Sequence, residues 1–139
     1  MKKLLLALSL LSFVSIADDW KLGNSHKGIY LNVSEYTTLR VEPSDIKGSY
    51  VFKLWLLSVP DSCYHGGTID FQIDRDVERF NYYWSAENRA CIFYVSSVVA
   101  NDRIIRKFLK QNEVFFYGGK KSAKGFTKAF NQLQLIKEQ

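Results

Sequence analysis

The chain has 139 residues, two cysteines and a formal net charge of +5, which falls to +3 once Lys2 and Lys3 are set aside. That length bounds it to one domain with a single core, and so small a surplus gives no electrostatic footprint for nucleic-acid binding. Ten Phe, eight Tyr and three Trp favour a β-rich core, because aromatic rings suit pleated, half-buried surfaces.

The chain opens on a targeting pattern. Lys2 and Lys3 form a basic start, Leu4 to Val14 an apolar run broken only by Ser9 and Ser12, and Ser15 and Ala17 supply small residues where a signal peptidase reads. The pattern predicts a secretory signal peptide over 1–17 and one exported domain over 18–139. The alternatives are an uncleaved anchor or a buried apolar helix. The run is short for a bilayer crossing, so no stable membrane span is expected after cleavage. The expected location is periplasmic or secreted.

Strand signals fill the next two thirds. Ile29, Leu31 and Val33 alternate with Tyr30 and Asn32, and Leu39 and Val41 alternate with Arg40. Ser49 to Val59 is a long run too rich in β-formers for a helix. Ile69, Phe71 and Ile73 alternate with Asp70 and Gln72; Phe80 to Trp84 is aromatic except for Asn81; Cys91, Phe93 and Val95 alternate with Ile92 and Tyr94. Gly48 and Gly66-Gly67 mark turns.

The period then changes. Asn101 or Asp102 can cap a helix whose face carries Ile104, Ile105, Phe108 and Leu109 and which ends over Lys110, Gln111 and Asn112. Glu113 to Tyr117 reads as a strand closed by Gly118-Gly119. Ser122 can cap a final helix with Phe126, Ala129, Phe130 and Leu133 on one face. The sum is mainly β: an antiparallel sandwich or barrel-like sheet with two short helices in the C-terminal third.

An even number of cysteines in an exported chain predicts a Cys63–Cys91 disulfide. A zinc site from Cys63, His65, Cys91 and His26 fits no standard ligand spacing, and no metal or cofactor is expected. A Cys–His nucleophile would need a free thiolate, which the bridge removes. Asp70, Asp74, Asp76, Glu78 and Glu87 form an acidic stretch in which two carboxylates could act as acid and base on a glycan. Asp70, Asp74 and Asp76 share a parity, which places them on a strand's solvated face instead.

Binding candidates remain. Tyr82, Tyr83 and Trp84 can form a stacking platform, since adjacent strand residues cannot all face the core. Tyr64 and His65, beside Cys63, lie in the best candidate for a protruding loop. Lys120, Lys121 and Lys124 flank the start of the last helix, where cations oppose its dipole, and could meet an anionic partner.

Three features together carry a resemblance. Asp19-Trp20 opens the domain; Ala90-Cys91 precedes an alternating segment, a short helix and the strand Val114 to Tyr117; and Gly125-Phe126 leads a helix with Ala129 and Leu133 on one face. The order resembles the invasion-associated locus B family of small exported bacterial proteins, mainly over 90–133. Leu22-Gly23-Asn24 lacks the cysteine that members carry after the Asp-Trp pair. The resemblance implies an immunoglobulin-like sandwich, a periplasmic or surface location and no enzymatic activity.

The expected function is therefore a non-catalytic interaction protein whose partner is a protein or envelope component. The alternative is an inhibitor or immunity-type protein bound to a secreted or envelope hydrolase.

Overall fold

The computed structural model describes residues 19–24 and 27–137; the segment 1–17 and His26 fall outside the described residues. Nine strands run β1 (Lys21–Leu22), β2 (Ile29–Ser34), β3 (Thr37–Pro43), β4 (Tyr50–Leu56), β5 (Gly67–Ile73), β6 (Asp76–Ser85), β7 (Ala90–Tyr94), β8 (Glu113–Phe116) and β9 (Gly119–Ser122). Two helices, α1 (Val98–Lys110) and α2 (Phe126–Lys137), lie in the C-terminal third, and a 3-10 turn (Asp61–His65) joins β4 to β5. The class is mainly β, as composition and alternation predict.

All strands pair antiparallel in one sheet of order β1-β2-β3-β4-β7-β6-β5-β8-β9, curled into a half-barrel. The strands thus join in one ladder, the barrel-like form of the sequence reading. An immunoglobulin-like sandwich would divide them between two facing sheets. The helices fill the hollow: α1 packs on β4 and β8, and α2 on β1 and β2. No helix among the described residues is long and apolar enough to cross a membrane.

Alternation sets the inner face. In β4, Tyr50, Phe52, Leu54 and Leu56 are buried while Val51, Lys53 and Trp55 are half-buried. Phe52 stacks on Phe108 of α1 (5.8 Å), Phe108 on Phe126 of α2 (5.3 Å), and Phe126 on Phe130 (5.7 Å). Phe126, Ala129, Phe130 and Leu133 are all buried, so the helical face expected of α2 is its docking face. In β2, Val33 escapes the alternation because the register with β3 shifts between Asn32 and Ser34, and its side chain is exposed.

The two ends of the domain lock together. The Trp20 N–H donates to the Lys124 carbonyl and its indole Nε1 to the Ser122 carbonyl, both at 2.9 Å. Its ring meets Phe126 edge-on at 4.8 Å. Gly125 sits at φ +79, and a Cβ there would stand 2.9 Å from the Trp20 carbonyl. Asp19-Trp20 and Gly125-Phe126, far apart in sequence, are therefore one packing unit in which only glycine fits.

Two local expectations are corrected. Helix α1 begins three residues before Asn101; its cap is Ser97, whose Oγ accepts the Ala100 N–H (3.2 Å). Asn101 is instead buried inside the helix. Ser122 belongs to β9, a strand absent from the sequence reading, and α2 starts after Gly125, whose carbonyl accepts the Ala129 N–H (3.0 Å). The strand at 113–116 closes at the glycine pair, as the sequence predicts. Tyr117 (φ +51) and Gly118 (φ +80) make a two-residue reversal that leads straight into β9.

Candidate functional site

Cys63 and Cys91 are bonded, with Cα atoms 6.0 Å apart, as the cysteine count predicts. Both are fully buried. Cys91 lies in the cross-strand row Leu56–Cys91–Trp84 at one end of the half-barrel. The bond holds the 3-10 turn over that end. Gly67 makes the close approach possible, since a Cβ there would stand 2.9 Å from the Tyr82 hydroxyl.

Between the turn and the β8–β9 reversal lies a groove of about 280 Å³. Its walls include Leu56, the disulfide, Ile69, Phe71, Phe93 and Tyr117, with Tyr82 at the side. Four of its lining residues are aromatic and touch one another. Phe71 meets Phe93 at 5.6 Å and Tyr117 at 5.9 Å, and Tyr82 tilts against Phe93 at 5.4 Å. Its lining has no carboxylate, imidazole or free thiol. Such a wall can hold an apolar group, with the hydroxyls of Ser62, Thr68, Tyr82 and Tyr117 as its polar side-chain atoms.

The aromatic trio is divided by strand alternation. Tyr82 faces inward and lines the groove. Trp84 shares its parity and is covered by Tyr64 of the 3-10 turn, ring centroids 5.1 Å apart. Tyr64 is itself 57% exposed, and His65 is exposed beside it. Tyr83 projects from the outer face, where it meets Tyr94 at 5.9 Å. On that face Ile92 lies between Tyr83 and Trp55 in register, and the Arg40 guanidinium sits 4.2 Å over the Trp55 ring. Tyr64, Tyr82 and Trp84 thus gather at one end, and Tyr83 stands apart.

The lysines do not act together. Lys120 is exposed, and Lys124 is 3.9 Å from Asp19. Lys121 is only 8% exposed, and its Nζ donates to the carbonyls of Gly119 (3.3 Å) and Tyr117 (3.5 Å). Burial pushes the Lys121 ammonium below the usual lysine range.

The acidic stretch also divides, and its expected parity fails. The chain reverses at Asp74 (φ +54), so Asp76 and Glu78 take the inner parity of β6 rather than an outer face shared with Asp70. Asp70 stays outside and pairs with Arg79 at 3.0 Å, which raises the arginine further. Glu78 is buried opposite Phe71 and held by the Arg103 guanidinium through both carboxylate oxygens (2.8 and 3.1 Å). Lys107 holds Asp76 at 2.9 Å, and its hydrogen bond and charge keep that carboxyl below its usual range. A more open hollow on the outer side of α1 is lined by Arg103 and Lys107, which are paired with Glu78 and Asp76, and by the exposed Asp102, Arg106 and Lys110.

Sequence reasoning missed Leu56, Ile69, Phe71, Phe93 and Tyr117 as groove residues, because alternating apolar side chains read as core. One signal was present: the β4–β5 connection is too long for a tight hairpin and carries a cysteine, so it crosses and caps an end of the sheet. Comparison with protein families, characterised proteins and solved structures finds no match.

Proposed function

We propose that this chain is a non-catalytic exported interaction protein, periplasmic or secreted, that grips a protein or envelope component at the disulfide-capped end of its half-barrel. The carrying observation is the groove: about 280 Å³ of largely apolar wall with no carboxylate, imidazole or free thiol in its lining. The resemblance to the invasion-associated locus B family supports the same reading through its non-enzymatic character, and the buried disulfide fits an oxidising compartment.

The test is capture from native envelope with the folded chain as bait, beside the variant Ile69→Asp, which charges the groove wall. Proteins retained by the parent and lost with the variant are the expected outcome. Turnover of a peptidoglycan, peptide or ester substrate by the purified chain would overturn the reading.

The inhibitor reading keeps one observation of its own. Tyr64 is exposed on a turn fixed by the disulfide and stacked on Trp84, which is how a rigid anchor is presented. A single hydrolase captured in stoichiometric amount, and released by Tyr64→Ala, would select it.

A further inference from the structure

Strand β5 is paired along one edge and open along most of the other. Strand β6 pairs with it from Gly67↔Tyr82 to Ile73↔Asp76. On the far side β8 meets it only at Ile73↔Phe116, with the Asp74 N–H donating to the Phe115 carbonyl just beyond (3.0 Å). The chain then reverses at Tyr117 and Gly118, and the Tyr117 ring packs on Phe71. Among the described residues, 67–72 therefore has no strand neighbour on that side. A strand directs alternate backbone N–H and C=O groups to each edge, so this stretch offers an unused ladder. Ile69, 40% exposed, and Phe71 project from it into the groove.

We propose that the open edge of β5 takes an extended segment of a partner protein by strand addition, with an apolar side chain of that segment entering the groove. The inference rests on the reading of the chain as a binding module and specifies its mode. Side chains of an added strand alternate between faces. On the inner face they meet Ile69 and Phe71, which select an apolar residue. On the outer face they meet Thr68, Asp70 and Gln72; the Asp70 carboxylate is paired with Arg79 (3.0 Å) yet still about half exposed, and its exposed part complements a basic residue. Self-pairing of two copies centred on Asp70 would set Asp70 against Asp70 and needs Ile73, which already pairs with Phe116; a second copy in another register is an outcome the test separates. The fitting segment alternates apolar and basic residues.

The probe is a blocked hexapeptide of alternating leucine and lysine, titrated into the full chain and followed by backbone amide shifts and by calorimetry. Binding with shifts confined to 67–72 and the groove is expected. N-methylation of alternate peptide amides removes the ladder bonds and should weaken binding roughly tenfold. A leucine–glutamate hexapeptide should bind more weakly than the lysine one, and Asp70→Lys, on the surface, should reverse that order. Unchanged melting of Asp70→Lys confirms that it folds. Equal binding of the N-methylated peptide would overturn strand addition while leaving a groove-binding module intact. Absence of shifts at millimolar peptide, failure of Asp70→Lys to reverse the order, or concentration-dependent dimerisation through 67–72 would each overturn the proposal.

Discussion

Asn101 carries more than its residue type suggests. Its side-chain oxygen accepts the Phe52 N–H (2.8 Å), and its amide donates to the carbonyls of Val95 (2.7 Å) and Ser97 (3.0 Å). Strand β4 pairs with β7 from Lys53 to Leu56, so Phe52 lies one residue past that ladder, and the amide of α1 satisfies its N–H instead. One side chain thus ties a helix to a strand and to its own start. Asn101→Leu keeps the bulk but orphans a buried donor and an acceptor, and should cost about 2–3 kcal/mol. Urea unfolding measures it; a loss under about 0.5 kcal/mol would show that the neighbours relax onto water. From the sequence Asn101 looked like a cap, since Asn favours both roles locally. Only the register of β4 against β7 separates them, and that register is a long-range fact. Asp76 was misplaced for a similar reason: its inner parity follows from the reversal at Asp74, which resets the parity of the strand.

Among the elements, the β5–β6 reversal is clamped by the acid that makes it. Burial pushes the Asp74 carboxyl up, but hydrogen bonds from the Gln111 amide and the Phe115 N–H (both 2.9 Å), with the charge of Lys107, hold it below the usual range. A carboxylate with a lowered folded value adds stability at pH above its unfolded value of about 3.9, and loses it as pH falls through the folded value. Asp74→Asn should therefore lower Tm near neutrality, with the gap to the parent narrowing below about pH 4. A gap that stays constant from pH 6 to 3 would show that the charge is not the cause. Helix α2 is the opposite case, legible from spacing alone. Phe126, Ala129, Phe130 and Leu133 recur at helical intervals, and the same residues are buried. Phe130 stacks on Phe126 and meets Tyr50 edge-on at 4.9 Å, so Phe130→Ala should cost about 3–5 kcal/mol. A loss below about 1 kcal/mol in chemical denaturation would make the helix peripheral. Its first turn was misjudged because Ser122 has the chemistry of a cap, yet it serves β9, where its Oγ accepts the Lys124 N–H (3.0 Å).

For the whole molecule, the strands and the disulfide were readable because alternation and cysteine number are local or nearly so, whereas closure and the groove were not. Curling nine strands into one half-barrel depends on pairings such as β4 with β7, which skip two strands of sequence. The groove exists because β8 leaves β5 after one pair, and no composition signals that. The disulfide joins these levels. It closes 28 residues that include β5 and β6, and it fixes the 3-10 turn over the end of the sheet. Restricting the unfolded chain over that span accounts for about 3.5 kcal/mol. The paired replacement Cys63→Ala with Cys91→Ala should lower stability by about that much, a large share of a small domain's net stability. The parent should also resist mild reductant while folded, since both cysteines are fully buried and a thiolate must reach a sulfur to exchange. Melting with and without reductant, beside the double variant, checks both. The expected order is the oxidised parent highest, the double variant well below, and the parent unchanged by reductant until conditions that open the fold. A double variant within about 1 kcal/mol of the parent would mean that the turn is held by Tyr64 on Trp84 and by Gly67 beneath Tyr82 without the bond.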